Sequence, residues 1–250
     1  MTECSRGESV AKESAPARRA QSLAAVVAAV FFLSLASCGI DIVSFMENKP
    51  VVQADLIFRA PATKDSGYLG LSLFYRIYAT KEDAEADRAK LDARQASAAI
   101  PGDVVKSLLL NEASSGLKYR QIERFTLPDG GSFGSAPTFK SGLIGDYRIL
   151  IQGEPDQGLI VLIDVNADGY YNAGDSLLVA SRRIASESLF SLKPVDGDAD
   201  YQKGSGTDFD ANQFYIQIFA ACYGIDMVNG TFKEMYSDAV HLGVVTFNFL

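Results

Sequence analysis

The strongest constraint on the fold is a period of two in side-chain character. Leu71, Leu73, Tyr75 and Ile77 alternate with Ser72, Phe74, Arg76 and Tyr78, and Phe214, Ile216, Ile218, Ala220 and Cys222 alternate in the same way. Successive side chains point to opposite faces of a strand, whereas a helix would scatter these residues round its circumference. Other apolar runs end at turn-forming residues: Asp55–Arg59 before Ala60-Pro61, Tyr147–Gln152 and Leu159–Asp164 on either side of Gly153-Glu-Pro-Asp156, Ser176–Ile184, and His241–Phe249. These runs are rich in β-branched and aromatic residues and predict strands. The chain reads as mainly β.

One segment breaks the pattern. Thr80-Lys-Glu-Asp83 has the spacing of a capping box, with Asp83 in place of the usual glutamate. Alanine-rich, charged sequence continues to Ala99, and Pro101-Gly102 stops it. With Leu91 and alanines as its apolar material, this helix is expected to lie on the surface, weakly packed. Asp103–Leu110 reads equally as a short helix or a strand.

Composition limits the functions. The 250 residues are 48% hydrophobic, enough for one large domain or two small ones. A formal net charge of -8 argues against a nucleic-acid partner. One histidine, His241, and three cysteines, Cys4, Cys38 and Cys222, provide no zinc ligand set. Cys222, in the run Phe219-Ala-Ala-Cys-Tyr223, reads as a buried small hydrophobe.

The N-terminal segment has a different character. Arg18-Arg19 precede an uncharged stretch from Leu23 to Ser37, fifteen residues, short for a membrane span of about 20 and suited to an export signal. The stretch ends in Leu35-Ala36-Ser37-Cys38, which resembles the lipobox of bacterial lipoproteins. That resemblance implies a thioether-linked diacylglycerol on Cys38, cleavage before it, and acylation of the new N-terminus by a fatty acid such as palmitate. Small residues at Ala36 and Ser37 suit a narrow peptidase site, and each buried lipid CH₂ contributes about 0.8 kcal/mol to anchoring. The expected organisation is a signal peptide over 1–37, a lipidated tether over 38–50, and a single β-sandwich domain with an insertion over 51–250. Gly39, in place of the aspartate that retains many such proteins at the inner membrane, implies an outer-membrane destination.

Leu56-Ile57-Phe58 with Pro61, Gly70–Arg76, Phe214–Cys222 and Ser237–Val240 resemble the second, third and last two strands of a fibronectin type III module. The resemblance implies an Ig-like β-sandwich, with the helix near 80–99 as an insertion. Residues 81–200 are far longer than that family's middle strands, so they are an insertion or a different sandwich topology.

Asp164-Val-Asn166-Ala-Asp168-Gly169-Tyr170-Tyr-Asn172-Ala-Gly-Asp175 has calcium-loop spacing. Calcium takes six to eight hard oxygens, which alternate side chains of a tight loop can present. Asp164, Asn166 and Asp168 would offer side-chain oxygens, Tyr170 its carbonyl, Asn172 a direct or water-mediated contact, and Asp175 the closing carboxylate. The segment resembles a dockerin-type loop, but strand-like runs flank it where that family and EF-hands have a helix. A plain hairpin turn, with Asp168-Gly169 supplying positive φ, is the competing reading.

Two weaker features remain. Asp196, Asp198 and Asp200, with Asp208 and Asp210 beyond, lack a turn glycine and read as a solvated acidic loop. Gly130-Gly-Ser132-Phe-Gly134 satisfies G-x-S-x-G, but Pro128 and Pro137 flank it and the segment reads as a glycine-rich loop instead of a nucleophile elbow. The sequence therefore implies a non-enzymatic, membrane-anchored lipoprotein with an envelope structural role or an unidentified protein or glycan partner. A calcium-dependent adhesion or binding module and a serine hydrolase using Ser132 and His241 are the alternatives.

Overall fold

The computed structural model describes residues 45–126, 132–135, 148–164, 176–182, 188–204, 212–226 and 232–249. Residues 1–44, which include the expected export signal and Cys38, lie outside the described residues. In chain order the elements are β1 (Val51–Ala54), β2 (Ile57–Arg59), β3 (Tyr68–Tyr78), α1 (Lys81–Ala96), β4 (Arg120–Gln121), β5 (Arg124–Thr126) and β6 (Ser132–Ser135). They continue with β7 (Arg148–Glu154), β8 (Gly158–Asp164), β9 (Ser176–Arg182), β10 (Ser188–Leu189), β11 (Tyr201–Gln202), β12 (Gln213–Ile225), β13 (Glu234–Tyr236) and β14 (Val240–Asn248). Among the described residues, no helix is long and apolar enough to cross a membrane.

Two sheets pack as a β-sandwich. The first has strand order β1-β2-β7-β8-β9-β5-β6, with β10 beside β9. The second is built on β3 and β12, which pair antiparallel from Tyr78↔Tyr215 to Tyr68↔Gly224. The far edge of β12 takes β14 along Gln213–Ala220 and β13 along Tyr223–Ile225. The far edge of β3 takes β4 antiparallel and β11 parallel. The β7–β8 hairpin turns where the sequence placed its turn residues, with Gln157 N–H donating to Glu154 O at 3.2 Å.

The sheets meet through the inward residues of the alternating runs. Phe58, Ile149, Ile151, Val161, Ile163 and Leu178 of the first sheet face Leu71, Leu73, Ile77, Phe214, Ile216 and Ile218 of the second in one buried cluster. Each such side chain contributes about 1.5–3 kcal/mol through burial. Residues 81–200 supply α1 and strands β4 to β10, including most of the first sheet, so the long middle segment is part of the sandwich itself.

The second sheet is covered on its other face too. Phe74, Tyr78, Phe219, Ala221 and Tyr223 pack against Ala84 and Leu91 of α1 and against Val104, Val105, Leu109 and Leu117. Double coverage explains why β12 contains the near-continuous apolar run Ile218–Tyr223. Helix α1 starts as the capping box implied: Thr80 Oγ1 accepts from Asp83 N–H at 3.2 Å and donates to Asp83 Oδ2 at 2.8 Å. It is better packed than its composition suggested, because Asp87 is buried beside Ala84 and Leu91. The ambiguous Asp103–Leu110 segment is helical, with a single π-type turn at Val105–Leu109 closed by Leu110 N–H to Val105 O at 2.9 Å.

The fold begins before residue 51. Met46 is fully buried in the inter-sheet core, and Asn48 donates to both oxygens of Asp65, at 3.0 Å from its backbone and 2.9 Å from its side chain.

Candidate functional site

Helix α1 crosses only part of the outer face of the second sheet. Ala84, Asp87 and Leu91 turn toward the sheet, at the i, i+3, i+7 spacing of one helix face. Odd-numbered residues of β12 face this layer: Phe219 and Ala221 lie in its apolar cluster. Toward the start of β12 the cover ends, and Gln213, Tyr215 and Gln217 line a cleft of about 400 Å³. Lys81, Glu85 and Arg88 of α1 form one wall, and His241 and Thr246 of β14 complete the floor.

His241 sits at the inner end of this cleft. Its ring meets that of Phe219 edge-on at 5.2 Å, and its Nε2 is 3.3 Å from Gln217 Nε2. Burial first, then the Arg88 charge, pulls its pKa down to about 4, so the ring is neutral at ordinary pH.

Behind His241 runs a row of buried polar groups between sheet and helix. Tyr119 Oη contacts Gln217 Oε1, Tyr78 Oη lies 2.9 Å from Tyr119 Oη, and Tyr78 donates to Asp87 Oδ2 at 3.0 Å. Gln217 is fully buried and Asp87 3% exposed. Lys90 Nζ reaches Asp87 Oδ1 at 2.9 Å, and Arg76 Nη1 lies 3.6 Å from Asp87 Oδ2 while donating to Leu117 O. Burial pushes both phenols up, well above the ordinary tyrosine range, so each keeps its proton. The sequence missed this row because Asp87 looks like any charged residue of a solvated helix. The available signal was Arg76 and Tyr78 inside an otherwise apolar strand, and Gln217 between two isoleucines.

A second buried ionic group ties the two sheets together. Arg182, 2% exposed, donates from Nε to Asp200 Oδ2 at 2.9 Å and from Nη2 to Asp200 Oδ1 and Asp198 Oδ2, both at 2.7 Å. Tyr75 Oη donates to Asp200 Oδ2 at 2.8 Å. The acidic stretch read as a solvated loop is therefore, through Asp200, among the most buried parts of the molecule: Asp200 is 0% exposed. Bonds to both carboxylates raise the Arg182 pKa against the opposing effect of burial.

The other sequence-predicted residues divide between described and undescribed segments. Asp164 ends β8 opposite Arg148 and is 1% exposed. Asn166, Asp168, Tyr170, Asn172 and Asp175 lie outside the described residues, as do Asp208 and Asp210. Among the described residues, no group of three or more His, Cys, Asp or Glu side chains is placed to hold a metal ion. Ser132 lies on strand β6, which pairs antiparallel with β5, where the sequence suggested a loop. It belongs to the first sheet, whereas His241 belongs to the second and has Gln217 as its partner. Cys222 is fully buried, and burial pushes its thiol up to about 12.

No protein-family model, curated protein or solved structure matches this chain.

Proposed function

We propose that this chain is a bacterial lipoprotein whose β-sandwich is a non-enzymatic binding module of the cell envelope, held at a membrane through lipid on Cys38. The observation that carries the reading is Leu35-Ala36-Ser37-Cys38 at the end of the uncharged stretch that begins at Leu23, after a basic pair. Gly39 after the cysteine favours the outer membrane. The cleft beside His241 supports a binding role, since it gathers polar side chains at a gap in the helix layer.

The test is mass spectrometry of the N-terminal peptide of protein purified from bacterial membranes. A peptide beginning at Cys38 and carrying diacylglycerol and an acyl chain is expected. Cys38→Ser should remain unlipidated and leave the membrane fraction. An unmodified N-terminal peptide from the wild type overturns the anchor. A serine-directed hydrolase probe should leave Ser132 unlabelled; labelling lost in Ser132→Ala would replace a binding module by an enzyme.

Calcium binding at 164–175 is a second reading, favoured by the burial of Asp164 at the end of β8, where the first ligand of such a loop would sit. Titration calorimetry on the wild type, Asp164→Ala and Asp168→Ala tests it. Calcium heat in the wild type that both variants lose supports the site, and no heat in the wild type removes it.

A further inference from the structure

The row behind His241 is one proton short as its atoms are placed. Asp87 Oδ2, Tyr78 Oη, Tyr119 Oη and Gln217 Oε1 are four oxygens separated by three contacts. The two phenols supply two protons, and Asp87, a carboxylate between Lys90 and Arg76, supplies none. One buried contact would then be a bare oxygen–oxygen pair, at a cost of about 1–3 kcal/mol. A carboxamide has nearly the same shape when turned end for end. Turning Gln217 places its Nε2–H against Tyr119 and completes the row, with every proton directed toward Asp87.

The turn has a consequence for the cleft. With Gln217 turned, its Oε1 would face His241 in place of the Nε2 that lies 3.3 Å away, and the imidazole would then donate from Nε2 with no proton on Nδ1. In the neutral ring Nδ1 is then a lone-pair acceptor, and it has no hydrogen bond among the described residues. In that arrangement the buried row sets the tautomer, and the tautomer sets what the histidine offers to the cleft.

The charges of the cleft narrow the ligand further. Its two bases, Lys81 and Arg88, are matched by two acids, Asp55 and Glu85. Lys81 lies 3.8 Å from Glu85, and Arg88 lies 3.6 Å from Asp92. An anion or a cation would meet as much repulsion as attraction here. The floor offers amide and hydroxyl groups, together with the ring of Tyr215, whose hydroxyl donates to Gln213 Oε1 at 2.7 Å. Such surroundings suit hydroxyls that both donate and accept, and C–H groups that lie on an aromatic ring.

We propose that this cleft binds a neutral polyhydroxylated ligand of the saccharide class, one of whose hydroxyls donates to His241 Nδ1. The proposal deepens the binding reading given above, and it does not depend on lipidation of Cys38. Gln217, Tyr119 and Tyr78 are positioning residues in it, acting through the histidine.

His241 is the only histidine of the chain, so protein labelled with ¹⁵N-histidine reports one ring alone. In full-length protein in detergent micelles at neutral pH, Nε2 should give a protonated signal and Nδ1 an unprotonated one. Maltotriose, cellotriose and tri-N-acetylchitotriose are added at millimolar concentration, with citrate and spermidine as anionic and cationic controls. At least one trisaccharide should move the Nδ1 signal toward its hydrogen-bonded position, and neither control should. His241→Ala should weaken that saccharide about tenfold, as expected for the loss of one good hydrogen bond. Tyr119→Phe should alter the tautomer balance of the free protein, which a merely structural role would not do. A proton on Nδ1 in the free protein overturns the proposal, as does the absence of a shift with all three sugars, or a shift with either control. The mass of the N-terminal peptide of the same sample reports the anchor separately, so failure of one reading is distinguishable from failure of the other.

Discussion

The Arg182 guanidinium grips both oxygens of the Asp200 carboxylate, at 2.9 and 2.7 Å, and so joins β9 of the first sheet to the residue that precedes β11 of the second. Asp200 also binds the second sheet directly, since its carbonyl accepts from Ile77 N–H at 2.9 Å. Both side chains are almost completely excluded from water, so each depends on the other for charge compensation.

Removal of one partner is therefore worse than removal of both. Asp200→Ala leaves a buried guanidinium with only Asp198 and should destabilise the fold by about 3–5 kcal/mol. Replacing the pair by apolar residues of similar volume, Arg182→Met with Asp200→Leu, should cost less than that single change. Urea unfolding of the two variants beside the wild type measures the order, and a double variant less stable than Asp200→Ala would refute the argument.

How far this could have been read in advance depends on the reach of each interaction. The strands β3 and β12 were legible because a period of two is a local property, and β14 because a run of β-branched and aromatic residues is one too; Phe214, Ile216 and Ile218 do face the inter-sheet core. The hairpin turn at 154–157 was legible for the same reason. The clamp was not, because Asp198 and Asp200 acquire their meaning from an arginine on another strand, and an acidic stretch taken alone looks solvated. Asp87 was hidden likewise, its burial depending on Arg76 and Tyr78, which reach it across the sheet–helix layer. The cleft was invisible as well: it exists only because α1 stops covering the sheet where Gln213 and Tyr215 begin.

Gly102, placed in the sequence as a helix stop, has a stricter task. It has φ +81°, its N–H donates to Asp238 Oδ1 at 3.0 Å, and a Cβ there would run into the backbone carbonyl of Tyr236. Neither the conformation nor the backbone oxygen can yield cheaply. Gly102→Ala should cost about 1–3 kcal/mol, visible as a lowered Tm. Gly197→Ala is the control, since its φ of +96° is similar but nothing lies within 4 Å of the added carbon, so it should lower the Tm less.

Cys222 should be chemically silent in the folded protein. The thiolate is the reactive form, and burial pushes this thiol up to about 12 while its residue is 0% exposed. Iodoacetamide at neutral pH should leave Cys222 unmodified in native protein and modify it in urea, as read by peptide mapping. Labelling at equal rates in both conditions would show that the second sheet opens far more readily than its packing implies.

The single histidine makes stability depend on pH with a sign fixed by its environment. In the unfolded chain His241 takes a proton near pH 6.5, whereas in the fold burial and Arg88 hold its pKa down to about 4. Between those values the unfolded state binds more protons, so stability rises with pH across the window. The contribution is fully present above about 6.5 and is lost as the pH falls toward 4. Solvent reaches part of the ring, so the effect should be on the order of 1–2 kcal/mol, below the value for full burial. Lys81, Glu85, Arg88 and Asp55 face the same cleft and remain in place in His241→Gln, so comparing variant with wild type isolates the histidine. Denaturant unfolding at a series of pH values should therefore show a shallower loss of stability for His241→Gln than for the wild type across this window. Parallel curves would mean that the folded histidine titrates as it does in the unfolded chain, and that burial and Arg88 do not hold its pKa down.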